Sequence, residues 1–358
     1  MLSNYQPIGK YIKQIDRRNK DASVKRLMGI NIDKYFMPSV ANVVGTDLAN
    51  YKIVSNNQFA CNFMHVGRDK RLPVALLKSD ESIIVSPAYF VFEISCSELL
   101  PDYLMLCFKR KDFDRNAWFY TDADVRGGMD KQAFLEMCIP VPSISEQRRI
   151  VSEYQTVERR IANNEALIQK LEETAQAIYH HTFVEGIDEE NLPKGWKKGT
   201  LSDIMVISSG KTVSNKVDKQ DMEHPYPVAG ASGIIGYSTD FNKETKILTT
   251  GRVGTLGVIN KYHGCVWAAD NVLIAESAYY EYSYHLLKSV KYNEIAKGGV
   301  QALLTQTELK AQTAIIPPTE KLEEFECRLA PLCEYQDVLQ EENIQLRKLL
   351  TLLTSKLA

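Results

Sequence analysis

Long apolar runs are missing from this chain of 358 residues. No stretch approaches the ~18 consecutive apolar residues that a membrane-spanning helix requires. The opening Met1-Leu2-Ser3-Asn4-Tyr5 lacks the basic and apolar regions of a secretory signal. Paired cysteines are missing too. The seven present (Cys61, Cys96, Cys107, Cys138, Cys265, Cys327, Cys333) are odd in number, scattered, and never in C-x-x-C spacing. That usage argues against a disulfide frame and a zinc site, and for a reducing compartment. A cytoplasmic protein without membrane contact is expected.

Catalytic signatures are equally scarce. Ser209-Gly210-Lys211-Thr212 has the tail of a phosphate-binding loop, but the position needing its first glycine holds Met205. Gly251-Arg252-Val253-Gly254-Thr255-Leu256-Gly257 is spaced G-x-x-G-x-x-G, which departs from the dinucleotide fingerprint. It reads instead as a tight hairpin presenting Arg252 and backbone amides. His180 and His181 are adjacent on a helical stretch and face different ways, so they do not chelate together. No Asn-Pro-Pro-aromatic methyltransferase motif occurs. No catalytic residue, cofactor or metal is expected, although a site dispersed along the chain stays open.

What is present is a repeat. Cys138-Ile139-Pro140-Val141-Pro142 leads into Ser145-Glu146-Gln147-Arg148-Arg149-Ile150, and Ala314-Ile315-Ile316-Pro317-Pro318 leads into Thr319-Glu320-Lys321-Leu322. Upstream of each stand a Gly-Gly pair (Gly127-Gly128, Gly298-Gly299) and an aromatic-aliphatic run (Tyr103-Leu104-Met105-Leu106, Tyr284-His285-Leu286-Leu287). Apolar residues then recur with heptad spacing. The first helix has Tyr154, Ile161, Ile168 and Ala175 at a, with Ile150, Val157, Asn164, Leu171 and Ile178 at d. The second has Leu322, Leu329, Gln336, Asn343, Leu350 and Leu357 at a, with Phe325, Leu332, Leu339, Leu346 and Leu353 at d.

Each seam carries a single Asn, Asn164 at d and Asn343 at a. Parallel helices stack a on a, so the two could not meet. Antiparallel helices stack a on d, and joining Asn164 to Asn343 also pairs Ile161 with Leu346, Ile168 with Leu339, Leu171 with Gln336, Ile150 with Leu357 and Ile178 with Leu329. That register overlaps nearly the whole of both helices. An Asn facing Leu would leave its amide unsatisfied, so the pair fixes the register. An intramolecular antiparallel coiled coil is expected, with the alternative that each helix packs on its own module or on another protein. Helices of about 38 residues would span roughly 57 Å and set two modules at opposite ends, related by an approximate two-fold axis.

The expected architecture is α+β: two β-rich domains, 1–143 and 185–318, separated by a central helix over 144–184 and a C-terminal helix over 319–358. The net charge of −2 hides a division. Residues 1–143 and 192–318 each carry +3, whereas 144–191 carry −5 and 319–358 carry −3. Mildly basic modules on acidic helices suit DNA contact by the modules alone. Both modules show short Val-, Ile-, Tyr- and Thr-rich segments cut by glycine, such as Ile83-Ile84-Val85 and Lys246-Ile247-Leu248-Thr249-Thr250-Gly251.

Together these residues resemble the specificity subunits of type I restriction–modification systems. The resemblance rests on Ile139-Pro140-Val141-Pro142 with the Glu146-Gln147-Arg148-Arg149-Ile150 helix start, and on Leu192-Pro193-Lys194-Gly195-Trp196 opening the second module. The runs Val228–Tyr237, Gly251–Gly257 and Phe63–Asp69 resemble that family's target-recognition domains. Two departures stand out: the first module begins almost at Met1 without its own Leu-Pro-x-Gly-Trp, and the second helix opens Glu-Lys-Leu-Glu-Glu.

The resemblance implies a non-catalytic subunit in which each target-recognition domain reads one half of an asymmetric, bipartite site on double-stranded DNA. It also implies two adenine methyltransferase (modification) subunits docked along the helices, joined by restriction/translocase subunits. Candidate DNA-contacting residues are Arg17, Arg18, His65, Arg68, Lys70 and Arg71 in the first module, and Lys211, Ser232, Arg252 and His263 in the second. Phosphate contacts by Lys and Arg would position the modules, and loop side chains would read base edges. Trp118 and Trp267 are expected in the core. A recognition subunit with a fused methylase–nuclease partner, or a coiled-coil adaptor with two protein-binding modules, remain the alternatives. The target sequence and its spacer are not derivable, because base choice depends on loop geometry and indirect readout.

Overall fold

The computed structural model describes residues 5–39, 47–64, 66–121, 127–296 and 303–357. The chain divides into two compact units, residues 1–164 with 341–358, and residues 165–340. Each unit thus takes part of both long helices.

In unit one the strands are β1 (Tyr5–Pro7), β2 (Ile12–Ile15), β3 (Met28–Ile30), β4 (Phe36–Pro38), β5 (Lys52–Val54), β6 (Phe59–Cys61), β7 (Val74–Leu76), β8 (Ile83–Val85), β9 (Phe90–Ile94) and β10 (Cys138–Pro140). The helices are α1 (Val66–Asp69), α2 (Pro101–Lys109), α3 (Lys111–Phe119), α4 (Lys131–Glu136) and the first half of α5 (Ile144–Phe183). A four-stranded antiparallel sheet in the order β2-β9-β6-β7 forms the centre, and β1 pairs with β10 beside the start of α5. Phe59, Phe92, Phe108 and Phe134 fill the core against α2 and α4, with Phe59 and Phe92 stacked 4.9 Å apart.

Unit two repeats the plan. Its strands are β11 (Lys197–Thr200), β12 (Val206–Ser209), β13 (Lys216–Val217), β14 (Tyr226–Gly230), β15 (Gly233–Ser238), β16 (Ile247–Gly251), β17 (Asn260–Tyr262), β18 (Trp267–Ala268), β19 (Val272–Glu276) and β20 (Thr313–Ile316). Its helices are α6 (Tyr280–Ser289), α7 (Tyr292–Ile295), α8 (Gln306–Lys310) and most of α9 (Thr319–Ser355). The sheet β12-β19-β16-β17 has the topology of β2-β9-β6-β7, and β11 pairs with β20 as β1 does with β10. A second sheet, β13-β15-β14-β18, lies beyond it.

One tyrosine marks the repeat. Tyr103 Oη donates to Pro140 O at 3.2 Å, and Tyr282 Oη donates to Ile315 O at 3.1 Å. Both tyrosines are third in their helices, and both acceptors lie four residues before a long helix. Tyr103 therefore corresponds to Tyr282, two residues from the Tyr284 that the sequence comparison aligned with it. Gly298 and Gly299 lie outside the described residues. Each long helix also caps its neighbouring short one. Gln147, fully buried, accepts from Leu100 N at 2.9 Å at the start of α2. The Glu326 carboxylate accepts from the amides of Glu281 and Tyr282 at 3.2 and 2.8 Å at the start of α6.

Within each unit the two long helices run antiparallel. In unit one Arg160 forks onto Glu342 at 2.9 and 3.0 Å, and Asn164 meets Asn343. In unit two Gln336 Nε2 donates to Ile168 O at 3.2 Å, while Tyr179 and Phe183 pack on Phe325. Every a and d position expected from the heptads is buried or half-buried. Near the end of α5 the fully buried face moves to Tyr179 and Phe183, which join Tyr282 and Phe325 in an aromatic cluster.

Candidate nucleic-acid interface

The strand order places most of the candidate residues before any side chain is considered. In unit one Ile15 of β2 pairs with Val91 of β9, and Cys61 of β6 pairs with Phe90 of β9. The chain leaving β2 toward Arg17 and Arg18, and the chain leaving β6 toward Arg68, Lys70 and Arg71, thus depart from the same end of the sheet. Unit two does the same. Ser209 of β12 pairs with Leu273 of β19, and Gly251 of β16 pairs with Val272. Lys211 and Arg252 therefore leave from the equivalent end.

Ser232 joins them at the tip of the β14–β15 hairpin, where Gly230 faces Gly233. A Cβ on Gly251 would lie 2.8 Å from the Ala231 methyl, so the tip rests against the end of β16. Gly210 is needed for a similar reason, since a Cβ there would lie 1.9 Å from Ala269 O. That close approach lets Lys211 N donate to Ala268 O at 2.9 Å, and Thr212 Oγ1 donates to Asp270 Oδ2 at 2.8 Å. Lys211 and Ser232 are exposed on this rim.

Arg252 is held more firmly than a hairpin tip would be. Its amide donates to Asn271 O at 3.0 Å, and its carbonyl accepts from Leu304 N at 2.9 Å. Residues 252–259 form a wide, turn-rich connection between β16 and β17, where the sequence suggested a tight hairpin with free amides. The guanidinium is half-buried. Its Nη1 reaches Asp270 O at 3.5 Å, and its buried Nε has no hydrogen bond among the described residues.

His263 lies elsewhere. It follows β17, which runs antiparallel to β16, so it sits at the end of the sheet opposite Arg252. Its ring contacts Tyr280 at 5.5 Å, and its Nδ1 faces Asp337 of α9 at 3.5 Å. Burial lowers its pKa, partly countered by Asp337. The structure does not bring His263 to the rim that carries Lys211, Ser232 and Arg252.

In unit one the candidates are largely tied to carboxylates or carbonyls. Arg18 bonds Asn50 O at 2.9 Å and pairs with Asp16, and Arg17 is exposed beside it. Arg68 forks onto Asp69 at 2.7 and 2.9 Å, which raises its pKa. Arg71 pairs with Asp33 at 2.8 Å. Lys70, at φ +54°, sets its ammonium 4.8 Å over the Trp118 ring. His65 lies outside the described residues. Gly67 N donates to Gly127 O at 2.7 Å, and a Cβ on Gly67 would reach Gly127 Cα at 2.7 Å, so this glycine contact holds the turn that carries Arg68.

Two features here were not read from the sequence. Lys34 is buried, and its Nζ donates to Asp114 Oδ1 and Leu72 O, both at 2.7 Å. Asp114 also accepts from Leu72 N at 3.0 Å, so this pair clamps the 66–72 segment onto α3. Burial lowers the Lys34 pKa while Asp114 opposes the shift. The second feature corrects an expectation. Trp118 is 43 % exposed, not core, and is followed by the exposed Phe119 and Tyr120. Trp267 is half-buried, donating its indole N–H to Lys211 O at 2.9 Å.

Among the described residues no group of three or more His, Cys, Asp or Glu could hold a metal ion, and no helix is long and apolar enough to cross a membrane. The two units repeat one β topology, and in each of them candidate basic side chains follow strands that finish at the equivalent end of the central sheet. Residues 193–344 match the family described as type I restriction modification DNA specificity domain. The chain as a whole is similar to specificity subunits of type I restriction enzymes. It is 21 % identical over 408 aligned positions to the MjaIX specificity subunit of Methanocaldococcus jannaschii, covering 94 % of this chain and 93 % of that one. It is 24 % identical over 131 residues to the EcoprrI specificity subunit of Escherichia coli, a match spanning 35 % of this chain and a third of that relative's length. The fold is that of the type I restriction–modification S subunit from M. genitalium, with a TM-score of 0.58 at 15 % identity over 99 % of this chain and 95 % of that one.

Proposed function

We propose that this chain is the cytoplasmic specificity subunit of a type I restriction–modification system, and that each β module reads one half of an asymmetric, bipartite site on double-stranded DNA. The observation that carries the reading is the repeated placement of Arg17, Arg18 and the 66–71 turn, and of Lys211 and Arg252, at the same end of equivalent sheets. Phosphate contacts by basic residues there would position each module, and Arg252, Ser232 or neighbouring loop groups would read base edges. The paired helices would set the unread spacer and dock two adenine methyltransferase subunits, with restriction/translocase subunits joining them. A recognition subunit serving a fused methylase–nuclease would look the same at this rim.

The test is the adenine methylome of a plasmid host expressing this chain with its neighbouring modification subunit, against that subunit alone. A new bipartite motif with a fixed spacer, present only with this chain, is the expected result. Unchanged methylation, with both proteins soluble and associated, would favour a protein-binding adaptor. In vitro, DNA affinity should fall steeply as salt rises, which an adaptor would not show.

A further inference from the structure

We propose that the outward face of α3 in unit one is a second DNA-contacting element, with Lys111 and Arg115 on the phosphates and Phe119 with Tyr120 as an aromatic wedge against the base stack. The inference rests on the reading that unit one binds duplex DNA, and adds residues that lie outside the rim described above.

The case begins with which faces of α3 are used. Phe113, Asp114 and Ala117 are buried, and Phe113 packs on Phe108 at 5.0 Å. Lys111, Arg115 and Phe119 follow at four-residue intervals on the opposite, exposed face, with Asn116 beside them. Both carboxylates of the helix are neutralised. Asp114 is taken by Lys34 and the Leu72 amide, and Asp112 by Arg110, whose Nε lies 3.0 Å from it. The face left to solvent is cationic, amide and aromatic, without a free acid.

The aromatics are unusually open. Phe119 is 81 % exposed, Tyr120 50 % and Trp118 43 %, three consecutive large rings on one short segment. Leaving so much apolar surface in water marks an interaction site. Cations beside the rings select the partner, because Lys70 lies over Trp118 and Arg115 stands one turn before Phe119. A polyanion whose stacked bases offer π faces fits both features, and apolar side chains wedged at base steps are an established device of DNA-bending proteins.

The element is also fixed in advance of binding. Arg110 anchors its start to Leu357 O and Tyr5 Oη, both at 3.4 Å. Thr121 closes its end through Oγ1 to Trp118 O at 2.7 Å. Arg71 Nε lies 3.7 Å from Asp114, which joins α3 to the 66–71 turn as one continuous surface. A ring carried on a backbone already held in place has only its own side-chain freedom to lose when it inserts.

The full chain with its modification partner is tested on the duplex identified by the methylome, carrying 2-aminopurine at successive positions of each half-site. Phe119→Ala should weaken binding about 5- to 100-fold, leave the salt slope unchanged, and abolish a 2-aminopurine signal confined to one half-site. Phe119→Trp should restore affinity. Arg115→Ala should lower the salt slope by about one. Because these side chains are exposed, unchanged melting temperatures will show that the fold is intact. Wild-type affinity, slope and fluorescence in both alanine variants, while Arg252→Ala still damages one half-site, would overturn the α3 proposal and leave the specificity reading standing. Loss of modification-subunit binding with DNA contacts unaltered would also overturn it, making α3 a protein-docking face. No salt-dependent DNA binding by the wild type would remove both.

Discussion

Asn164 Nδ2 donates to Asn343 Oδ1 at 3.0 Å, and the two side chains are only 2 % and 7 % exposed. Asn164 Nδ2 also reaches Glu342 Oε2 at 2.8 Å, and Glu342 is held in turn by the Arg160 fork. A buried amide pair of this kind costs stability relative to an aliphatic layer but penalises every slipped register, since a slip would set Asn against Leu or Ile. Pairing a d position with an a position requires antiparallel helices, and this contact sets them so.

Replacing one member should therefore hurt more than replacing both. Asn164→Leu strands the Asn343 amide and should cost about 1–3 kcal/mol in urea unfolding. Asn164→Leu with Asn343→Leu should recover most of that loss, while allowing slipped helices. Cysteine cross-linking at the adjacent Ile161 and Leu346 layer would report the slip as a drop in yield. Equal destabilisation by the single and double variants would show that the pair does not act as a unit.

The Lys34–Asp114 clamp makes a similar but larger prediction. Asp114→Ala leaves a buried ammonium with only Leu72 O as partner, and should cost about 3–5 kcal/mol. Lys34→Met with Asp114→Leu should lie closer to wild type, because an apolar pair removes both desolvation penalties. The Leu72 amide, bonded to Asp114 at 3.0 Å, should exchange faster in Asp114→Ala than in wild type. Protection unchanged at Leu72 would mean that the 66–72 segment is held by other contacts.

Acid should weaken unit two in large part through His285. His285 is fully buried, with Nδ1 2.9 Å from Gln176 Oε1 and its ring stacked on Tyr179. Burial pushes its pKa down from 6.5 to about 4, with Lys261 and Lys288 adding to the shift and Glu172 opposing it. The unfolded chain therefore binds this proton more readily than the folded one. Stability is full above about pH 6.5 and falls as pH drops toward 4, on the order of 3 kcal/mol from this group. His285→Phe should lose that part of the pH dependence, keeping a constant offset for the freed Gln176 amide. Parallel pH profiles for variant and wild type would rule the histidine out.

How much of this was legible in the sequence follows from the range of each interaction. The coiled-coil register was readable because a seam repeats every 3.5 residues and each seam offers one Asn to align. It drifted only near Ile178, where Tyr179 and Phe183 turn into an aromatic cluster that no heptad rule anticipates. The repeat was readable to within two residues, and the slip has a cause: Tyr280, Tyr282 and Tyr284 offer three frames, and only the bond to Ile315 selects one. Lys34 and Asp114 are 80 positions apart, so nothing local announces their contact. α3 was missed because nothing marks its start: Arg110 precedes it without a capping side chain, and charged residues interrupt its apolar pattern. The glycine-bearing connections that carry Lys211 and Arg252 were visible, whereas the direction of β17, which carries His263 away, is a property of the sheet alone.

Arg252 and His263 give the sharpest contrast, because the sequence grouped them and the sheet separates them. Arg252→Ala should weaken or relax recognition of one half-site and leave the other unchanged, seen as a degenerate motif in the methylome. Arg252→Lys keeps the charge but loses the planar fork, so it should retain the salt slope while losing base discrimination. His263→Ala should leave the motif and the salt slope at wild-type values, since its ring faces Tyr280 and Asp337 near α9. Its effect should be confined to a small change in unfolding midpoint. A half-site defect in His263→Ala equal to that of Arg252→Ala would place DNA at both ends of the sheet, contradicting the single rim. Equal loss on both half-sites in Arg252→Ala would sink the assignment of one module to each half.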